Sequence, residues 1–219
     1  MRANARSANN PTSPPRATPG QQGPQMPVNK MPANTAAFEF LAARQSYPSK
    51  VMTGPAPDRA ALEPILHAAL RVPDHGKLEP WRLVVGYRPA LTLWADLAEA
   101  RARDMGGDPE KIEKGRGQFD RSHLAVVVIA APKPSDKIPE IEQTLSAGAL
   151  CLGLVNAATA AGWGANWLSG WVSHDRPFIT RAFGCTDAEW VAGIIHIGTP
   201  GSPMPDRPRP DPARTITWA

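Results

Sequence analysis

The stretch that decides the fold is "RVPDHGKLEPWRLVV", residues 71–85, which joins a helix-like run to a strand-like run. A plain turn between such elements needs only the Pro, the Asp and the Gly, because these residues set or permit the backbone angles of a turn. Val72-Pro73 ends the helix, since the residue before a proline avoids the helical region. Asp74 is predicted to form the turn by bonding to its own backbone. The Arg, the His and the Trp of this stretch require another explanation.

Helical spacing and strand-like apolar runs alternate irregularly on both sides of this stretch. Helices are predicted at 34–44, 58–71, 91–105, 139–162 and 176–184, and strands at 81–87, 123–131, 164–171 and 190–198. Asp58 is placed to cap the second helix and Gly184 to close the last one. The pattern predicts an α+β domain whose helices pack around one central sheet.

Both ends of the chain are rich in proline, which occurs 25 times in 219 residues. We predict a disordered N-terminal extension over 1–33, a folded domain over 34–200 and an extended C-terminal arm over 201–219. The arm can end in a short strand. Because it cannot bury itself, we expect it to lie across its own domain or a partner subunit.

Charge and composition argue against several functional classes. The formal net charge is +4, and four basic residues precede the first acidic residue, Glu39, so the rest of the chain is formally neutral. A nucleic-acid-binding domain would instead cluster Lys and Arg on a folded face. The uncharged run 144–162 has too few large apolar residues for a membrane span and predicts a buried helix. No secretory signal is recognisable, and two cysteines interpreted as unpaired fit a reducing, cytoplasmic location.

The common catalytic motifs are missing from the sequence. No G-x-G-x-x-G follows a strand, and neither a Walker loop nor a G-x-S-x-G elbow occurs. The five histidines are scattered and neither cysteine stands in a ligand pair, so no metal site is predicted. No side chain is assigned as a catalytic acid, base or nucleophile. An enzyme with this sequence would depend on a bound cofactor.

Residues 71–85 resemble the nitroreductase family of FMN-dependent flavoproteins, and within it the short bacterial branch of NAD(P)H nitroreductases, where R-x-P-D-H precedes P-W and a strand. Three further motifs agree in order: "ARQS" at 43–46, "NAATAAGWGANWLSG" at 156–170 and "HIGTP" at 196–200. The resemblance covers residues 36–218. It implies a three-layer α/β/α sandwich with a mixed central sheet. It also implies a homodimer with two FMN sites at the subunit interface and an arm that wraps the partner subunit.

The resemblance also implies which residues bind the cofactors. Arg44, Gln45 and Ser46 would grip the FMN phosphate, since guanidinium and hydroxyl donors suit a dianion. Arg71 would lie near the flavin of one subunit, and His75 would point toward the flavin across the interface. The stretch for nicotinamide-nucleotide contact comprises Ala157, Ala158, Thr159, Ala160, Ala161 and Gly162, and the segment lining FMN comprises Trp167, Leu168 and Ser169.

The same residues have ordinary structural explanations. The triplet that begins at Arg44 can be a solvated helix end. Arg71 can finish a helix, and His75 can cap that helix. Trp81 could wall a flavin pocket, but a core position is favoured because buried aromatics are common at the start of a strand.

Two positions depart from the family pattern. Gln45 stands where the short branch carries a second basic residue, and Leu168 stands where it carries Arg. Losing two positive charges beside a phosphate predicts weaker FMN retention than is usual in the family. The residues that could compensate are Lys50, Lys77, Arg207 and Arg209.

The function that the resemblance implies is an FMN-dependent NAD(P)H oxidoreductase. It would reduce nitroaromatic or quinone-like small molecules by ping-pong hydride transfer through the flavin, with no nucleic-acid or membrane partner. Two alternatives stay open. One is a flavin-binding or sensing protein with little turnover, and the other is an enzyme of the same fold that transforms the flavin or dehalogenates a substrate.

Overall fold

The central strand β2, Leu124–Ala130, is buried along its whole length, as its run of valines predicts. It pairs with β1, Trp81–Gly86, on one side and with β4, Trp190–Gly198, on the other. Strand β3, Gly164–Leu168, pairs with β4 and completes the order β1-β2-β4-β3. The four predicted strands are therefore confirmed.

The computed structural model describes residues 32–202 and 204–219. Within these ranges all strand pairings are antiparallel, so the described part of the chain does not form the mixed sheet that was expected. A mixed sheet needs at least one parallel neighbour, and here each strand runs opposite to the one beside it. Strand β3 is also shorter than the predicted strand over 164–171, since it ends at Leu168 and Trp171 begins a helix.

Helices cover both faces of the sheet. In the described residues they are α1 Thr35–Ala43, α2 Arg59–Ala69, α3 Arg88–Asp104, α4 Pro109–Asp120, α5 Glu140–Ala160, α6 Trp171–His174, α7 Arg176–Phe183 and α8 Pro212–Thr215. Asp58 caps α2 by accepting a hydrogen bond from the Ala61 N–H (2.9 Å), as predicted. Gly184 closes α7 in the left-handed conformation, with φ of 64°. Helix α3 begins three residues earlier than predicted because Pro89 favours its first turn.

The sheet lies between two apolar layers. On one face Val126, Val128 and Ile195 pack against α2 and α5. On the other face Val127 and Ile194 pack against α3 and α7, where Trp94, Phe119, Phe178 and Phe183 meet mostly edge to face. Successive residues of a strand point to opposite faces, which is why β2 can serve both layers. The three-layer α/β/α sandwich is confirmed.

Helix α5 is buried on one side only. Gly153 lets its backbone approach α2 closely, because a Cβ there would lie 2.9 Å from the carbonyl oxygen of Ala69. The other side leaves Ile141, Leu145 and Leu152 exposed, so the predicted burial of the stretch 144–162 holds for only one face of the helix in this chain. Among the described residues no helix has the length and apolar content needed to cross a membrane.

The C-terminal arm, residues 201–219, ends differently from the prediction. The described residues of the arm form no strand. They form the one-turn helix α8, because Asp211 accepts a hydrogen bond from the Ala213 N–H and Pro212 favours the first helical position, and residues 216–219 after it have no regular structure. Thr35–Ala219 form one compact unit. The predicted extension 1–33 lies outside the described residues except for Pro32 and Ala33. The predicted domain boundaries stay predictions.

Candidate functional site

A cavity of about 160 Å³ lies between the end of α1 and the C-terminal arm. We call it the arginine cavity. Its lining residues are Arg44, Gln45, Ser46, Met204, Pro205, Asp206, Arg207 and Arg209. The predicted phosphate-binding residues Arg44, Gln45 and Ser46 therefore line the same cavity as Arg207 and Arg209, the two arm arginines that could compensate for the missing positive charges. Lys50 and Lys77, the other two candidates, are not among its lining residues.

Backbone hydrogen bonds hold the two halves of the arginine cavity together. Just after the triplet, the Tyr47 N–H donates to the carbonyl oxygen of Ala165 on β3 (2.9 Å). Thr53 and Thr199 then exchange backbone hydrogen bonds of 3.0 and 2.9 Å, which places the chain leaving α1 beside the chain leaving β4. Gly201 passes so close to the carbonyl of Val51 that a side chain there would clash. The arm therefore begins next to the α1 end.

The donors around the arginine cavity suit an anion. Three guanidinium groups and the Ser46 hydroxyl line it, and Arg groups bind phosphate oxygens through a planar fork of N–H donors. One carboxylate is also present. Asp206 Oδ1 accepts hydrogen bonds from Gln45 Nε2 (3.2 Å) and from Arg209 Nη2 (3.3 Å). The cavity is net positive, and its donors fit a phosphate group.

The turn after α2 takes the shape that Asp74 was predicted to impose. Its carboxylate accepts hydrogen bonds from the backbone N–H groups of Leu78 (3.2 Å) and Glu79 (2.8 Å). Lys77 and Glu79 adopt positive φ angles of 54° and 48°, conformations that cost energy in residues other than glycine. Such strain often marks functional segments, and Asp74 holds it in place here.

His75 faces α5 rather than capping α2. Its Nδ1 lies 2.7 Å from Oε2 of Glu142. Both residues line a second cavity of about 360 Å³, together with Pro73, Leu145, Ser146 and Ala149. Arg71 is exposed beyond the end of α2. The arginine cavity and this second cavity have no lining residue in common, so Arg44 and His75 do not meet in one pocket of a single chain.

Trp81 lies against α5 at the edge of the core, so the favoured core position holds only in part. It is half-buried beside the apolar layer, and its Nε1–H donates to Oγ of Ser146 (3.1 Å). The Ser146 hydroxyl in turn donates to the carbonyl oxygen of Pro73 (2.7 Å). These bonds fix the strained turn onto α5.

The two remaining predicted segments flank one tight turn between α5 and β3. Gly162, with φ of 86°, ends α5, and the Trp163 N–H donates to the Ala158 carbonyl (3.0 Å). The Thr159 hydroxyl bonds to the helix backbone at the Val155 carbonyl (2.7 Å). Ala160, Ala161 and Gly162 are exposed at this turn, whereas Ala158 is fully buried in the core and offers no side-chain surface, contrary to its predicted nicotinamide contact.

The predicted FMN-lining segment lies at the end of β3. Trp167 is partly exposed, and its indole packs so closely on Gly193 that a side chain at that position would clash. Leu168 is half-buried and Ser169 is exposed. None of these three lines the arginine cavity.

Sequence reasoning missed two acidic residues at the predicted site. Asp206 contacts Gln45 across 161 positions of sequence, and Glu142 contacts His75 across 67. Local patterns carry no signal for contacts over such separations. The two cysteines offer no alternative chemistry, because both are buried and burial raises the pKa of each thiol, that of Cys151 to about 12.

A buried polar pair underlies the "HIGTP" motif. His196 is fully buried on β4, and its Nδ1 lies 2.8 Å from Oγ of Ser122. The Ser122 hydroxyl is 3.0 Å from the carbonyl oxygen of Leu124, to which it donates. Burial lowers the pKa of His196 to about 4, so the imidazole is neutral near pH 7. This histidine belongs to the sheet and does not line the arginine cavity.

Comparison with known proteins agrees with this architecture. Residues 41–199 match the sequence model of the Nitroreductase family. The chain is 33% identical over 164 residues to the Escherichia coli K12 protein named "Putative NAD(P)H nitroreductase YdjA", a match that covers 75% of this chain and 88% of the relative.

Two solved structures share the fold. The nitroreductase-like family protein from Bacillus cereus superposes with a TM-score of 0.71 at 20% identity, covering 87% of this chain and 99% of its own. The FMN and NADPH-dependent nitroreductase NfnB from Sphigopyxis sp. strain HMH superposes with a TM-score of 0.63 at 18% identity, covering 84% and 98%. The sequence matches decide the classification: this chain belongs to the Nitroreductase family and is an oxidoreductase enzyme.

Proposed function

We propose that this protein is an FMN-dependent NAD(P)H oxidoreductase that reduces nitroaromatic or quinone-like acceptors. The observation that carries the proposal is the arginine cavity, where Arg44, Ser46, Arg207 and Arg209 converge from opposite ends of the folded chain. The chemistry supplied by bound FMN would be ping-pong hydride transfer from NAD(P)H to the acceptor. The protein's own part is to hold the cofactor and to present it to both substrates.

Only the phosphate group of FMN would fit into the arginine cavity. By analogy with phosphorylated side chains, a phosphate monoester carries about −1.5 to −2 charges near neutral pH. Three guanidinium groups can balance this negative charge. The volume of about 160 Å³ is below the roughly 300 Å³ at which pockets for whole small molecules begin. The flavin ring would therefore extend out of the cavity onto other surfaces. Trp167 to Ser169, at the end of the neighbouring strand β3, are proposed to line it.

A second copy of the chain is proposed to complete the site. Phe38 and Leu41 on α1 and Ile141, Leu145 and Leu152 on α5 are exposed large apolar residues. Ile141, Leu145 and Leu152 lie on one face of α5 by their helical spacing, and exposed apolar surface of this kind commonly marks an interface. Because Arg44 and His75 line separate cavities in one chain, pairing two chains would allow Arg71 and His75 of one subunit to approach the flavin held by the other.

The arm also suits a dimer. Trp218 is 89% exposed and Ile216 is 48% exposed, an arrangement that leaves apolar side chains without cover in a single chain. We propose that the end of the arm wraps the partner subunit. The two cysteines, which are free, are consistent with a reducing compartment, and a cytoplasmic location is proposed.

One observation favours a second candidate, a flavin-binding or sensing protein with little turnover. Asp206 adds a negative charge to the arginine cavity, and Gln45 is neutral where the family's short branch carries a basic residue. Weak cofactor retention would suit a sensor of FMN. Anaerobic mixing of FMN-loaded protein with NADH or NADPH separates the two, since rapid bleaching of the flavin colour supports the oxidoreductase.

The proposal is tested by binding and by assembly. Wild-type protein with added FMN is expected to be yellow and dimeric by sedimentation, and to oxidise NAD(P)H when a quinone or nitroaromatic is present. Arg44→Ala should lose FMN, whereas Arg59→Ala, which removes an exposed arginine paired with Glu63 on α2, should retain it. A colourless, monomeric wild-type protein in excess FMN would refute the proposal.

A further inference from the structure

An acidic side chain occupies the arginine cavity. Asp206 lines it beside three arginines, and a single oxygen, Oδ1, accepts from both Gln45 Nε2 (3.2 Å) and Arg209 Nη2 (3.3 Å). The Asp206 side chain is 64% exposed and that of Arg209 is 54% exposed. Exposed contacts of this kind are individually weak, so they can be exchanged for others.

The two contacts use donors that a bound phosphate would need. A phosphate oxygen and a carboxylate oxygen accept the same kind of hydrogen bond from guanidinium and amide N–H groups. While Asp206 holds Gln45 and Arg209, those donors are directed at the carboxylate. A phosphate that enters the cavity must compete for them and must also lie near a like charge.

Because Asp206 belongs to the C-terminal arm, the position of the arm determines whether its carboxylate competes with phosphate. Its contact with Gln45 spans 161 positions and joins the arm to the end of α1, whereas its contact with Arg209 is local, three residues away. Releasing the carboxylate would free one arginine within the arm and one amide on the domain. The arm could do this without unfolding, since the backbone pairing of Thr53 and Thr199 lies upstream of Asp206.

We propose that Asp206 is an internal competitor for the phosphate of the flavin nucleotide and lowers the preference of this site for FMN over unphosphorylated riboflavin. The inference rests on the proposed function, because it takes the arginine cavity as the phosphate site. The proposed competitor role predicts the opposite effect on phosphate affinity from a role in orienting the donors. A competitor weakens phosphate binding, while a residue that merely orients Gln45 and Arg209 strengthens it.

The test compares Asp206→Asn with wild type in the full-length apoprotein. Asparagine keeps the size and an accepting oxygen but removes the charge. FMN and riboflavin are titrated separately and followed by quenching of flavin fluorescence. We expect Asp206→Asn to bind FMN about threefold to tenfold more tightly, with riboflavin affinity unchanged. Asp187→Asn, an equal charge change in the exposed turn before β4, should alter neither affinity.

A second readout uses inorganic phosphate alone. Phosphate should raise the melting temperature of the apoprotein, and the rise should be larger for Asp206→Asn than for wild type or Asp187→Asn. If wild type binds FMN but Asp206→Asn binds it equally or more weakly, the competitor role is overturned while the proposed function stands. If wild type shows no preference for FMN over riboflavin and no response to phosphate, the phosphate site itself fails, and both proposals fall.

Discussion

Mild acid is expected to destabilise this protein through a single buried histidine. His196 lies in the sheet with Nδ1 2.8 Å from Ser122 Oγ, and the Ser122 hydroxyl has its own acceptor, the Leu124 carbonyl. The proton of the neutral imidazole therefore sits on Nδ1 and is donated to Ser122. Nε2 is buried without a hydrogen-bond partner among the described residues, so a proton added there would bring an unpaired charge into the core.

The magnitude follows from the two pKa values. Burial lowers the pKa of His196 from 6.5 to about 4 in the folded protein. Below pH 6.5 the unfolded chain takes up a proton that the folded protein does not, so stability falls as the pH drops from 6.5 toward 4. At 1.36 kcal/mol per pKa unit, the loss is about 2 kcal/mol by pH 5 and about 3 kcal/mol by pH 4.

The assay is urea unfolding between pH 7 and pH 5 at one protein concentration and one FMN loading. His196→Asn keeps a polar group near the position of Nδ1 but cannot titrate. Wild type should lose about 2 kcal/mol more stability than this variant over that range. Ser122→Ala serves as the control, because it removes about 1 kcal/mol of hydrogen bonding at every pH and leaves the histidine buried. Its pH dependence should therefore match that of wild type.

Parallel pH profiles for wild type and His196→Asn would show that the reasoning is wrong. They would mean that the folded imidazole accepts a proton as readily as the unfolded one. A flattened profile in Ser122→Ala would point instead to the serine as the source of the effect.

Four further predictions follow from single contacts. Asp58→Ala should cost about 1 kcal/mol in urea unfolding by removing the cap of α2, and Asp58→Asn should restore most of it. The hydrogen bond from Arg82 lowers the pKa of Glu189 to about 2, so the stabilising charge is present above 4.5 and lost only as the pH falls through 2. Glu189→Gln should therefore cost about 2 kcal/mol from pH 7 down to pH 4, and an unaltered unfolding midpoint would contradict this. Gly153→Val should cost about 1–3 kcal/mol, read from thermal unfolding, because α2 leaves no room beside it. Gln45→Lys should tighten FMN binding about threefold at low salt, and the gain should fade as salt is added; a salt-independent gain would argue against a charge effect.

The local elements follow directly from the order of residues. The valine run of β2, the cap at Asp58 and the glycine that ends α7 act within a few positions of sequence, and each appears as predicted. Family membership could also be recognised from the sequence, because the four motifs keep their order between residues 36 and 218. The short strand expected at the end of the arm is not formed in the described residues, where Asp211 and Pro212 favour the helical turn α8 instead.

Only the tertiary structure shows which residues far apart in the sequence are in contact. The encounter of Gln45 with Asp206, that of His75 with Glu142 and the antiparallel order of the strands depend on how the layers pack. The exposure of Leu145 likewise became visible only once the neighbours of α5 were known. The physical reason is that secondary structure arises from interactions within one or two turns of chain, whereas a binding site is set by the geometry of packed elements. The sequence therefore determined which groups could hold an anion, and the fold determined that an anionic side chain lies among them.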